Sequence, residues 1–230
     1  MTGGSRGAGK AIASRLASEG MSVALLARTE VTLHAAVHDI VSAGGRAIGI
    51  PTDIANPEAV HAAVQRAADE FGRLDLLVNN AGIGSRGTVA ELKVGDWQRV
   101  IDTNLTGAFL CSQAVLPHLK QQGGGWIISI SSGAGRQGYS GMAAYCASKF
   151  GLMGFSQSLA AEVTDDHIKV SVISPGTILT EFGASPGQQR APRPGVKYLL
   201  PDDLADAVVA LLHQSDRAWT QDMTLWPFRD

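Results

Sequence analysis

Residues Thr2-Gly3-Gly4-Ser5-Arg6-Gly7-Ala8-Gly9-Lys10 run into an amphipathic stretch marked by Ile12 and Leu16, which Gly20 stops, and the apolar run Val23-Ala24-Leu25-Leu26-Ala27 comes next. Glycines at such a turn let the backbone approach a pyrophosphate, and the helix start behind them supplies free N–H groups and a positive dipole end. The rhythm continues along the chain. Apolar runs at 47–50, 74–78, 126–130, 170–173 and 223–226 alternate with helical patterns. Each run is nearly continuous in apolar residues, as expected of parallel strands buried on both faces. Between them, Trp97, Val100, Ile101, Leu105 and Phe109 recur at the three-and-four spacing of one helix face. Strand, helix, strand repeated this way predicts a doubly wound α/β sheet of the Rossmann type.

The rest of the composition narrows the class. Of 230 residues, 45% are hydrophobic and 17% charged, enough apolar surface to fill the core of one domain. The net charge of −2 leaves no basic footprint for nucleic acid or an anionic membrane. Two cysteines, Cys111 and Cys146, make no disulfide framework, which favours a reducing compartment. No apolar run reaches the roughly 18 residues of a membrane span. Arg6, Lys10, Arg15 and Glu19 interrupt any signal peptide. A cytoplasmic protein is expected. One long irregular segment, 177–200, holds Pro186, Pro192 and Pro194 and reads as a substrate-binding loop or lid.

The glycine stretch has a rival reading. Gly4-Ser5-Arg6-Gly7-Ala8-Gly9-Lys10 fits a P-loop, but the next residue is Ala11, whose methyl cannot ligate magnesium as Ser or Thr would. Later residues decide against it. Tyr145 and Lys149 stand four apart in Tyr145-Cys146-Ala147-Ser148-Lys149 and share a helix face. An ammonium about 5 Å from a phenol is expected to lower its pKa by roughly two units, toward useful proton exchange near neutral pH. Ser132 follows a strand, where an α/β sheet presents groups to its ligand crevice. Asn104 sits in the helix that carries Trp97 and Phe109, where Asn is a poor interior residue and needs a reason.

These residues together resemble the short-chain dehydrogenases/reductases. Thr2-Gly3-x-x-x-Gly7-x-Gly9 is similar to that family's cofactor fingerprint, and Asn79-Asn80-Ala81-Gly82 to its Asn-Asn-Ala-Gly motif. Asp53 resembles its acidic residue after the third strand. Asn104, Ser132, Tyr145 and Lys149 match its catalytic tetrad in type and spacing, and Pro175-Gly176 with Thr180 resembles its segment beside the nicotinamide.

The resemblance implies an oxidoreductase moving a hydride between a nicotinamide and a carbonyl or secondary alcohol. Tyr145 would be the general acid or base, Lys149 would tune it, Ser132 would bind the substrate oxygen, and Asn104 would hold a relay water. It implies a cofactor site of Gly3, Ser5, Arg6, Gly7, Gly9, Arg28, Asp53, Ile54, Asn80, Ala81, Gly82, Tyr145, Lys149, Pro175, Gly176, Ile178 and Thr180. Substrate would meet Ser132, Ala134, Tyr139, Met142 and Tyr145, with no metal. The alternatives are a 3-oxoacyl-[acyl-carrier-protein] reductase or a catalytically silent cofactor-binding protein.

NADP is the expected nicotinamide. The second strand ends Ala27-Arg28, with no acid to take a ribose 2′-hydroxyl, while Arg28 and Arg6 suit a 2′-phosphate. The chain also departs from the family. Its first buried strand is missing or a stub before Thr2, although that strand would lie mid-sheet, so a natural product longer at its N-terminus is expected. The tail 223–230 lacks the usual glycine-containing ending, which leaves a homodimer through the helices of Phe109 and Phe150, or a homotetramer, as the expected assembly.

Other features read as ordinary structure. His34 and His38 share a helix face without an acidic partner and read as solvated rather than metal-binding. Cys146 points about 100° from Tyr145 and reads as core. Gly138-Tyr139-Ser140-Gly141-Met142 lacks the last glycine of a hydrolase elbow. Arg190 and Arg193 would meet an anionic substrate if the loop closes.

Overall fold

The computed structural model describes residues 1–182, 192 and 194–228. Helix α1 (Gly7–Ser18) leads to β1 (Ser22–Ala27), α2 (Glu30–Ser42), β2 (Arg46–Pro51), α3 (Pro57–Phe71) and β3 (Leu76–Asn79). Then come α4 (Val94–Ile101), α5 (Gly107–Gln121), β4 (Gly125–Ile130), α6 (Ala143–Val163), β5 (Ile168–Pro175), α7 (Pro201–Leu212) and β6 (Asp222–Leu225). All ladders are parallel, β1 with β2 and β3-β4-β5-β6 in order. The six apolar runs of the sequence all become strands, each within two residues of the expected ends.

The side-chain alternation explains why the strands are mostly apolar on both faces. Ile127 packs toward α3, α5 and α6 with Val115, Leu119, Leu159 and Val170. Its neighbour Ile128 packs the other way, with Ile12, Leu33, Ile173, Leu204 and Val208 from the layer of α1, α2 and α7. Both isoleucines are fully buried, so both faces of the sheet are covered. Helix ends follow their sequence signals. At α3, Asn56 Oδ1 accepts from Ala59 N at 2.9 Å and Pro57 fills the first turn.

Between β1 and β3 lies the expected stub. Leu26 N donates to Met1 O at 2.9 Å, Gly3 N to Leu26 O at 2.8 Å, and Thr2 N to Val78 O at 3.0 Å. Residues 1–3 thus join the two sets of strands into the order β2-β1-stub-β3-β4-β5-β6 and bring the glycine turn to the sheet's carboxyl edge. At the opposite edge, a cleft of about 300 Å³ opens among Leu16, Met21, Leu76, Trp126, Val209 and Leu212.

Two expectations need correction. The apolar face assigned to one helix is broken by a π turn at Asp102–Thr106, where Gly107 N donates back to Asp102 O. The extra residue rotates the helix beyond it. Val100 is fully buried, but Trp97 and Phe109 are 37% and 43% exposed, and Phe109 instead meets Phe155 edge-on at 6.1 Å. Segment 177–200 is also not the one irregular stretch, because 80–93 holds neither helix nor strand. It has no proline to announce it, and it is held by Gly87 N to Gly141 O at 3.1 Å and by Thr88 against Glu91. The loop 177–200 is pinned at its base, Leu179 N to Leu199 O at 2.8 Å and Leu199 N to Thr177 O at 2.9 Å.

Candidate active site

The glycine turn is built against β3. Thr2 Oγ1 accepts from Asn80 N at 3.0 Å and Ala81 N at 3.1 Å, and Asn80 Nδ2 donates to Thr2 O and Gly3 O at 3.1 and 3.3 Å. Gly3 and Gly7 hold φ of +64° and +52°, which few side chains tolerate. A Cβ on Gly9 would fall 2.1 Å from Gly3 O. Arg6, in extended conformation, precedes α1, and no side chain caps the helix start. Ser5 beside it is half-buried. The result is a tight concave backbone at the carboxyl ends of β1 and β3, with uncapped N–H groups behind it.

Next to this turn stand Asn104, Ser132, Tyr145 and Lys149. Tyr145 and Lys149 project from α6, with Lys149 Nζ 5.9 Å from the Tyr145 ring centroid. Ser132 follows β4, its Oγ accepting from Ala134 N at 3.2 Å, with its hydroxyl near the Tyr145 phenol. The π turn presents Asn104, whose Oδ1 accepts from Ile83 N at 2.8 Å. Its Nδ2 donates to Ile83 O at 2.9 Å and Ser148 Oγ at 3.0 Å. Both amide hydrogens are used, so the remaining capacity is on Oδ1. Gly82 keeps that side open. A Cβ there would stand 3.4 Å from Asn104 Oδ1 and 3.8 Å from Lys149 Nζ.

The titration differs from the simple Tyr–Lys expectation. Burial pushes the Tyr145 phenol above its ordinary value, and the hydrogen bond to Ser132 pulls it back part of the way. Lys149 is only 4% exposed, and burial lowers its pKa to about 8. Its Nζ donates to Ile130 O at 2.7 Å. Desolvation outweighs charge attraction for both groups because each lies in the low-dielectric interior, where the charged form loses its water.

The remaining expected positions surround this centre. Gly176 N donates to Leu225 O at 2.7 Å, Ile178 pairs with Leu199, and Pro175 ends β5. Thr180 is buried, and a Cβ on Gly7 would lie 3.5 Å from its Cβ. Arg28 is exposed just beyond β1. Asp53 is exposed beyond β2, its carboxylate accepting from Ala55 N at 3.1 Å, and Ile54 is buried under Gly107. Ala134 and Cys146 pack with Tyr145 and Met142, and Tyr139 is 39% exposed. Arg190 and Arg193 lie outside the described residues. His34 and His38 are exposed.

Several neighbours escaped the sequence reading. Ser148 links Asn104 to Tyr145 O, donating at 2.7 Å. Its position between Tyr145 and Lys149, facing back into the protein, was the available signal. Glu181 pairs with Arg6 at 3.3 Å, and Phe182 lies with its ring 5.7 Å from that of Tyr145. Trp226, read with the tail, stacks over Gly133 and Gly176.

Comparison with known proteins agrees with this geometry. The family profile described as short chain dehydrogenase matches residues 1–191. A 3-oxoacyl-[acyl-carrier-protein] reductase of Synechocystis sp. is 39% identical over 213 residues, 90% of this chain and 85% of that protein. The short-chain reductase protein NovJ of Streptomyces niveus is 45% identical over 78% of this chain and 68% of its own. Among solved structures, an alcohol dehydrogenase from the archaeon Thermococcus sibiricus, complexed with 5-hydroxy-NADP, aligns with a TM-score of 0.90 at 28% identity, covering 98% of this chain and 94% of that one. A metagenomic short-chain oxidoreductase in complex with NADP aligns at 0.86 and 35% identity, covering 100% and 96%. With its parallel α/β sheet, its glycine turn and a profile match across most of its length, this chain belongs to the short-chain dehydrogenase family of oxidoreductases.

Proposed function

We propose that the chain interconverts a carbonyl compound and a secondary alcohol with NADP(H), Tyr145 acting as general acid in reduction and general base in oxidation. The observation that supports this reading is the closeness of Tyr145, Lys149 and Asn104 beside the glycine turn, with Lys149 Nζ 5.9 Å from the Tyr145 ring centroid and both Lys149 Nζ and Asn104 Oδ1 facing Gly82. The hydroxyls of Ser132 and Tyr145 are assigned to the substrate oxygen, which gains charge as its carbon is reduced. Lys149 holds positive charge near the phenol and favours its ionised form. Asn104, through the free capacity of Oδ1, orients a water that passes protons on to Lys149.

The residues fit a dinucleotide. Gly3 and Gly9 let the turn close tightly on Asn80 and Ala81, and the uncapped N–H groups at the start of α1, beside Ser5 and Gly7, are assigned to the phosphates, with Gly82 toward the nicotinamide end. Asp53 and Ile54 are assigned to the adenine side, and Pro175, Gly176, Ile178 and Thr180 to the nicotinamide side. When bound, NADPH supplies the hydride.

Arg6 and Arg28 select the 2′-phosphate. The Arg6–Glu181 pair is exposed, with 59% and 38% of the two side chains accessible, and such pairs contribute little, so the phosphate displaces the carboxylate. In a calorimetric titration, Arg28→Ala is expected to weaken NADPH about tenfold and to change NADH less than twofold. An equal loss for both nucleotides would rule out 2′-phosphate recognition by Arg28.

The pH profile follows from Lys149. Its charge is lost as pH rises through about 8, while the raised phenol stays protonated, so kcat/KM for reduction is expected to fall above about pH 8 with a slope of one proton. A flat profile to pH 10 would remove Lys149 from the mechanism.

A second reading is favoured by the names of the relatives, a 3-oxoacyl-[acyl-carrier-protein] reductase acting on a thioester-borne ketone. Acetoacetyl-CoA and simple ketones, offered with NADPH and the decrease of its absorbance followed, separate the two. Binding of NADPH with no carbonyl reduced would mark a silent cofactor-binding protein. Phe109 and Phe150, 43% and 47% exposed on α5 and α6, are the faces proposed to pair two subunits.

A further inference from the structure

Three half-exposed aromatic side chains lie beside Tyr145 or beside Gly133, the residue after Ser132, and glycines make room for two of them. On the Tyr145 side, Phe182 tilts at 49° over the Tyr145 ring, centroids 5.7 Å apart, and a Cβ on Gly84 would lie 3.6 Å from its edge. On the Ser132 side, the Trp226 indole spans two glycine backbones. A Cβ on Gly133, the residue after Ser132, would fall 2.8 Å from Trp226 Cη2. One on Gly176 would fall 2.7 Å from Cε3. Only glycine at both places lets the indole lie that close to the ends of β4 and β5. The Tyr139 hydroxyl stands 3.6 Å from the same Gly133 position and accepts from Gln137 Nε2 at 2.6 Å. Phe182 remains 44% exposed, Trp226 52% and Tyr139 39%.

We infer that Phe182 and Trp226 are the specificity residues of the site and that its substrate is a carbonyl conjugated to a flat aromatic ring. This rests on the oxidoreductase reading and narrows it. Aromatic side chains attract a flat ring by offset or edge contact beyond the area they bury, and a puckered ring of equal size cannot stack in the same way. Phe182 lies against Tyr145 and Gly84 and keeps 44% of its surface open, so a bound ring covers its exposed face.

The test pairs acetophenone with cyclohexyl methyl ketone, which have the same carbon skeleton in flat and puckered form. The ratio of their kcat/KM values is compared in the wild type, Phe182→Leu and Trp226→Leu, leucine keeping apolar bulk at exposed positions where folding is not at risk. Each variant is expected to lower the ratio, acetophenone over cyclohexyl methyl ketone, by about fivefold. In parallel, 1-phenylethanol and 1-cyclohexylethanol are titrated calorimetrically into the protein with NADPH, where no turnover occurs. The phenyl compound is expected to bind more tightly, and the preference to shrink in both variants. An unchanged kcat/KM ratio in either variant overturns the inference. So does reduction of acetoacetyl-CoA with no preference for 1-phenylethanol, which leaves the oxidoreductase reading standing. If none of the three carbonyls consumes NADPH, that reading fails by itself and the titration alone decides the aromatic site.

Discussion

Tyr145→Phe is expected to lower carbonyl reduction by at least about a thousandfold while NADPH affinity changes by no more than a few-fold. The phenol is the group proposed to give a proton to the substrate oxygen and draw a replacement from a neighbour. General acid catalysis of this kind is worth roughly a hundred- to ten-thousandfold. The variant keeps the ring that packs with Ala134, Cys146 and Met142, so the fold has no reason to change. Single-turnover rates with acetophenone, alongside a calorimetric NADPH titration, check both halves. More than a tenth of the wild-type rate would pass the proton role to another group, and a matching loss of NADPH binding would recast Tyr145 as structural.

Gly9→Ala should be the most damaging single methyl in the glycine turn. It would place a carbon 2.1 Å from Gly3 O and 2.6 Å from Asn80 Nδ2, on top of the contact that ties the turn to the end of β3. Backbone cannot yield as a flexible side-chain tip does. The methyl therefore pushes residues 2–4 away from Asn80 and Ala81. Overpacking of this kind costs about 1–3 kcal/mol, or roughly 3–10 °C in Tm for a chain of this size. NADPH affinity should fall at least about tenfold, because the displaced backbone is the proposed phosphate cradle. Gly95→Ala in α4 serves as the contrast. Nothing lies within 4 Å of its Cβ position, and alanine there is expected to raise Tm by a few degrees. Equal thermal scans for the two variants would contradict the contact geometry.

The strands were legible because burial on both faces leaves few polar positions to confuse the pattern, and Ile127 and Ile128 illustrate it directly. The closeness of the four proposed site residues was legible because they are chemically distinctive and stand at spacings fixed by α6 and the end of β4. Their electrostatics were not. A four-residue separation says that Tyr145 and Lys149 are close, but how much water each keeps depends on everything packed around them, and burial reversed the expected direction for the phenol. Trp226 was illegible for a related reason. Its place over Gly133 and Gly176 depends on β6 joining the sheet beside β5, a contact between residues some fifty to ninety positions apart. The segment 80–93 hid because it lacks prolines, although Gly87, at φ +144°, marks one of its bends.

The π turn at Asp102–Thr106 acts as a phase shifter. Before it, the helix is rotated so that Val100 enters the core; after it, Cys111, Val115 and Leu119 do. In between, Asn104 must meet the backbone of Ile83 and Ser148. An unbroken α-helix fixes one rotation for its whole length and would have to compromise one of these demands. The surplus residue lets the two helical halves be tuned independently. Substitutions that re-pack α5 against the sheet can therefore accumulate without turning Asn104 out of register, so its contacts with Ile83 and Ser148 are insulated from drift in the core.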